Sequence, residues 1–133
     1  MAQEHVELVR KLFEAHNLGG VEATLPLLPS DVRMYTAPEF IEDPLYRGHD
    51  GVRKVDALFA DNFDEWGWEL LEVRDAGDRA VAFLEMKGRI KDSGVPIRMT
   101  LVMVASDFRG GTVGELRFFG SLQDANEAVG LAE

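Results

Sequence analysis

The feature that most constrains this chain is a pair of long strand-like segments that are apolar on both faces. In Arg79–Ile90, Val81 and Phe83 alternate with Ala80, Ala82 and Leu84, so neither side of the segment is polar. Val95–Ser106 repeats the pattern, with Ile97, Met99, Leu101 and Met103 on one side and Val102 and Val104 on the other. A sheet built on such segments cannot leave either face fully in water. One face packs on helices, and the other must meet a pocket, another sheet or a partner chain.

Turn chemistry joins these segments into a meander. Asp75-Ala76-Gly77-Asp78, Asp92-Ser93-Gly94 and Arg109-Gly110-Gly111 separate four strands: Trp66 or Trp68 to Arg74, Arg79–Ile90, Val95–Ser106 and Thr112–Gly120. Such short, glycine-bearing connections favour antiparallel neighbours over crossovers. Helical elements come first. Val6, Val9, Phe13 and His16 follow the spacing of one buried stripe over residues 4–17, and Gly19 and Gly20 supply the freedom to end it. Val21, Thr24, Leu25 and Leu28 predict a second, shorter helix, Asp31–Thr36 a short strand, and Ala37–Arg47 an ordered loop. Asp50 is expected to cap a third helix whose inner face is Val52, Val55, Phe59 and Phe63. Ser121 followed by Asp124 resembles a capping box and opens a short terminal helix.

At 133 residues with 46% apolar content, the chain is expected to be one folded domain spanning 1–133. Cysteine is absent, which excludes disulfide scaffolds, thiolate catalysis and Cys-ligated metal sites. A formal charge of −10 disfavours nucleic acid and anionic membranes as partners. No apolar run reaches the length of a membrane span and no basic region precedes one, so the expectation is a soluble cytoplasmic protein.

The order helix–helix–strand–helix–four strands resembles the NTF2-like superfamily, in particular its SnoaL-like, polyketide cyclase-like branch. The resemblance is carried by Asp31-Val32, by Tyr46-Arg47-Gly48-His49-Asp50-Gly51-Val52 and by Asp75-Ala76-Gly77-Asp78-Arg79. It continues through Gly88-Arg89, Ser93-Gly94-Val95-Pro96 and the tail from Asp124 to Leu131, and so covers nearly the whole chain. It implies an α+β cone in which a strongly curved mixed or antiparallel sheet packs on three N-terminal helices, with a short C-terminal helix and a deep apolar cavity. It also implies a homodimer. Members include steroid isomerases, polyketide cyclases and epoxide hydrolases, and others bind ligands or proteins without chemistry. At the positions where the isomerases carry a tyrosine and two aspartates, approximate matching places Phe13, Thr36 and Thr100. Phe13 cannot donate the required hydrogen bond and Thr36 cannot serve as a base near neutral pH, so the isomerase mechanism is not expected. Neither Glu85-Met86-Lys87 nor Arg117 near Glu115 reproduces the Asp–Arg–Asp set of the epoxide hydrolases.

The expected ligand is therefore a hydrophobic small molecule, with either simple binding or cofactor-independent proton transfer or cyclisation on a carbonyl compound. A protein-interaction module of the same fold is the further alternative. For chemistry, Glu85 or His16 would move the proton and Tyr35 would polarise the carbonyl. His16 needs a hydrogen-bonding orienter to do so, and otherwise reads as an end-of-helix histidine; His5 and His49 are expected at the surface or in a structural role. Glu85 is either buried and available for acid–base work or a solvated sheet charge, depending on which face points inward. Phe13, Met34, Trp66, Trp68, Phe83 and Met103 would form the apolar wall, and Arg98 or Arg117 would orient an acidic substituent. No metal site and no cofactor is expected, since no HExxH pattern or phosphate-cradling loop is present.

Overall fold

The computed structural model of the chain describes residues 2–36 and 45–129. Helix α1 spans Ala2–Thr24 and buries Val9, Leu12 and Phe13 along one stripe. It is broken at Gly20, whose φ of 76° and ψ of −167° lie outside helical space. Glycine takes this conformation without a Cβ clash, so the two-helix expectation with its break at Gly19-Gly20 describes the chain well. Beyond the break the backbone turns Val21 and Thr24 toward the interior and tightens into a 3₁₀ turn over Leu25–Leu27.

Strand β1, Arg33–Tyr35, pairs antiparallel with β2, Leu45–Arg47. Most of the loop expected over Ala37–Arg47 lies outside the described residues, but its end is this strand. Helix α2 runs from Gly48 to Asn62 with Arg47 as its N-cap. Asp50 is therefore not the cap. It sits inside the first turn, near the positive end of the helix, and pairs with Arg53 at 2.9 Å. The Gly48 N–H donates to the Val32 carbonyl at 2.7 Å, and His49 Nε2 lies 2.9 Å from the Leu28 carbonyl oxygen. These bonds fix the start of α2 against β1, giving His49 a structural role.

The meander follows as β3 Phe63–Ala76, β4 Arg79–Ile90, β5 Pro96–Arg109 and β6 Thr112–Phe119, closed by helix α3 Leu122–Val129. The sheet order is β2-β1-β6-β5-β4-β3, with β1 and β6 parallel and all other neighbours antiparallel. Among the described residues the fold is thus α+β, an open six-stranded mixed sheet with three α-helices. In α3 the Asp124 N–H donates to the Ser121 hydroxyl at 3.1 Å, half of the expected capping box.

The sheet's two faces have different partners. Ala80, Ala82 and Leu84 of β4 with Leu101, Met103 and Ala105 of β5 form one core with Val9, Leu12 and Phe13 of α1 and Val52 and Val55 of α2. Val81, Val102 and Val104 point the other way and pack on Ala125 of α3, with Phe83 and Phe119 alongside. Two-faced apolarity is therefore satisfied by helices on both sides. His5 is half-buried, its ring stacked on that of Phe108 with centroids 3.9 Å apart.

One irregularity matters for the site. Between the pairs Asp64↔Arg89 and Gly67↔Lys87, two residues of β3, Glu65 and Trp66, oppose the single residue Gly88 of β4. Glu65 takes φ 54° to make this bulge. Bulges bend a strand and re-aim its side chains, and here Trp66 and Trp68 both reach the space beneath the helices.

Candidate functional site

A cavity lies between the helices and the sheet. Leu12, Phe13 and His16 of α1, with Val21 and Thr24 beyond its break, form one side. Val52, Val55, Asp56 and Phe59 of α2 form another. The sheet contributes Met34, Thr36, Trp66, Trp68, Leu101, Met103, Leu116 and Phe118, with Leu28 nearby. The cavity's volume is about 80 Å³, several times the space that a single water needs.

The wall is mostly apolar and aromatic; besides Thr24 and Thr36 its polar groups are one ionisable pair. His16 Nε2 lies 2.7 Å from Asp56 Oδ1, with the two side chains 16% and 23% exposed. An ionised carboxylate only accepts, so Nε2 carries the shared hydrogen, and in the neutral imidazole Nδ1 is then the free acceptor. Trp66 packs beside this pair, its ring centroid 5.3 Å from that of His16. The Thr24 hydroxyl is occupied, donating to the Val21 carbonyl at 2.6 Å.

Six of the residues singled out from the sequence line this cavity: His16, Phe13, Met34, Trp66, Trp68 and Met103. Five do not. Glu85 shares a face with Val81 and Phe83, as its spacing requires, but that face is the one carrying α3. Its carboxylate is 15% exposed and lies 3.5 Å from Lys87 Nζ and 3.6 Å from Arg98 Nε. Phe83 packs on the α3 side and receives the Arg74 guanidinium over its ring at 4.6 Å. Arg98 is 67% exposed on the same side as Glu85. Tyr35 follows Met34, so when Met34 points into the cavity Tyr35 points away; Arg117 lies over its ring at 4.3 Å. Arg117 Nε sits 3.2 Å from Glu115 Oε2. Glu85, Tyr35, Phe83, Arg98 and Arg117 thus belong to the opposite surface, and the convergence expected of them does not occur. Thr100 likewise faces away, while Leu101 and Met103 hold the cavity positions of β5. Among the described residues no three His, Asp or Glu groups gather as a metal-binding cluster, and no helix is long and apolar enough to cross a membrane.

Asp56 is the functional candidate that sequence reasoning missed. Its signal was present: 52, 55, 56 and 59 are the i, i+3, i+4, i+7 positions of the buried stripe, and three of the four are apolar. A carboxylate in the fourth position needs a partner on a facing element, and His16 supplies it.

The profile of the SnoaL-like domain matches residues 9–115. No curated protein is similar enough in sequence to count as a relative. Solved structures resemble the chain along nearly its whole length. A protein from Catenulispora acidiphila with a ketosteroid isomerase-like fold, in complex with trimethylamine, is 17% identical with a TM-score of 0.73, over 95% of this chain and 94% of that one. TerC co-crystallised with polyporic acid is 16% identical with a TM-score of 0.76, over 93% and 96%. A SnoaL-like polyketide cyclase assigned in Jannaschia is 18% identical with a TM-score of 0.74, over 99% and 95%. At such identities the likeness speaks for the fold, and the matched profile spans well over half the sequence. The chain belongs to the SnoaL-like family, within the NTF2-like fold.

Proposed function

We propose that this protein binds a hydrophobic small molecule in the cavity between α1, α2 and the sheet, and moves a proton on it without a cofactor. His16 is the base and Asp56 holds its imidazole. The observation that carries this reading is the 2.7 Å pair set into a mostly apolar wall. In such a setting a carboxylate fixes the ring's tautomer and orientation and stabilises the imidazolium that forms when the base takes a proton. Support also comes from the neighbouring structures that hold trimethylamine and polyporic acid, both small molecules.

The test uses 2-tetralone, a bicyclic ketone of suitable size with acidic protons beside its carbonyl. Exchange of those protons in deuterated water is followed by NMR, and binding by the fluorescence of Trp66 and Trp68, which are the chain's two tryptophans and both line the cavity. The wild-type protein should accelerate exchange saturably, and His16→Gln should lose roughly 100-fold or more of that acceleration. Binding without any difference in exchange between the two proteins would remove the proton-transfer role. That result would favour the second reading, a noncatalytic binder, which is supported by how few polar groups the described wall adds to the His16–Asp56 pair: the hydroxyls of Thr24, committed to its own backbone, and Thr36.

A further inference from the structure

Among the described residues five aromatic side chains contribute to the cavity wall: Phe13, Phe59, Trp66, Trp68 and Phe118. Their planes fall into two sets. Phe59 and Trp66 are within 22° of each other, and Trp68 and Phe118 within 30°. The two sets stand nearly perpendicular, with Trp66 and Trp68 at 83° and Phe59 and Trp68 at 68°. The rings thus pack as two stacked pairs set at a steep angle to each other in the cavity wall. Among the described residues no Lys or Arg lines the cavity, and Asp56 is the one carboxylate that does. Among the described residues its partner is His16, a group that is uncharged unless protonated, so no permanent cation neutralises it.

We infer that the ligand of this cavity carries a positively charged nitrogen, a quaternary or protonated amine on a hydrophobic body. This rests on the small-molecule reading above and narrows it. Aromatic faces carry negative quadrupole density and attract an alkylated ammonium, which is large, weakly hydrated and easily taken from water. Asp56 supplies the countercharge at the wall. An anionic ligand meets the opposite situation: it would bring a second negative charge beside Asp56 with no guanidinium or ammonium in reach, since Arg98 and Arg117 lie across the sheet. This reverses the sequence-based expectation of an acidic substituent.

Two isosteric probes test it. Benzyltrimethylammonium and neopentylbenzene have the same shape and eleven non-hydrogen atoms each, and differ only by a charged nitrogen in place of carbon. Binding is read from the fluorescence of Trp66 and Trp68 for the wild-type protein and for Asp56→Asn. The ammonium should bind at least roughly tenfold more tightly than the neutral probe to the wild type. In Asp56→Asn that preference should shrink to about threefold or less, while the neutral probe binds as before and so reports an intact cavity. Equal or tighter binding of neopentylbenzene to the wild type overturns the inference and leaves the hydrophobic-pocket reading standing. An ammonium preference that survives intact in Asp56→Asn also overturns it, because general attraction to a chain of charge −10 would then explain the preference. Absence of a saturable response to either probe overturns this inference and the pocket reading together.

Discussion

Alanine at position 88 sets two effects of opposite sign against each other. Gly88 does not adopt a left-handed backbone, so alanine there removes freedom from the unfolded chain and by itself would stabilise by about 0.4–1 kcal/mol. Against this stands the bulge of β3. A Cβ on residue 88 would lie 3.0 Å from Trp66 Cβ, 3.1 Å from Trp66 Cα and 3.3 Å from the Asp64 carbonyl oxygen. Unstrained carbon contacts lie at about 3.5–4.0 Å, so the neighbours must retreat by several tenths of an ångström. Two of those three atoms are backbone. The segment is held by the Glu65–Arg89 contact at 3.1 Å, and Trp66 is stacked on Phe59 with centroids 5.3 Å apart. Overpacking of this kind costs about 1–3 kcal/mol, so the steric effect wins, and Gly88→Ala should be less stable by about 1–2 kcal/mol. Urea denaturation followed by far-ultraviolet circular dichroism measures the loss. Native-state tryptophan emission should shift with it, because Trp66 moves relative to Phe59 and His16. A variant as stable as the wild type with unchanged emission would refute the reasoning, showing that the bulge yields freely and that residue 88 does not place Trp66.

Met103 is fully buried in both core and cavity wall, so Met103→Ala should lower stability by about 2–5 kcal/mol in thermal or urea unfolding while admitting bulkier aromatic ketones. Ser121→Ala removes the acceptor that caps α3 and should cost about 1 kcal/mol in the same assay. Glu85→Gln should leave the affinity and exchange rate of 2-tetralone unchanged; a clear loss would put Glu85 back in the site. In acid, Glu22, Asp31, Glu69 and Glu72 are all held below their ordinary carboxyl values, chiefly by hydrogen bonds from Arg53, Arg109, Lys87 and Arg74 respectively. The unfolded chain therefore takes up protons first as pH falls. The contribution of these groups is complete above the ordinary values of 3.8 and 4.5 and is lost as pH drops through the lower folded ones. Stability from this source should be flat between about pH 7 and 5 and decline below, and Arg53→Ala should flatten the acid limb in a urea titration series.

How much of this was legible beforehand depends on the kind of question. The bounds of Arg79–Ile90 and the break at Gly20 followed from local chemistry: turn residues, alternation and a glycine at the end of a helical stripe. Alternation also placed Glu85 with Val81 and Phe83. It could not say which face met the helices, because Ala80, Ala82 and Leu84 are as apolar as their neighbours, and the choice depends on sheet-wide packing. Tyr35 was assigned to the wrong side for the same reason, in a strand of three residues where one position decides everything. Asp56 was readable as a charge out of place on α2, but its partner is 40 residues away on another helix. Only the tertiary fold brings them together. Arg117 over Tyr35 is also long-range, set by the parallel register of β1 and β6.

The central claim is that His16, held by Asp56, faces a ligand in the cavity. Imidazole NMR of the protein labelled with nitrogen-15 at its three histidines tests this directly during titration with 2-tetralone. The His16 resonances should move saturably, with the same midpoint as the tryptophan fluorescence change, while those of His5 on Phe108 and His49 on the Leu28 carbonyl stay in place. Saturation of the fluorescence with no movement at His16, or with the response at His5 or His49 instead, would contradict it.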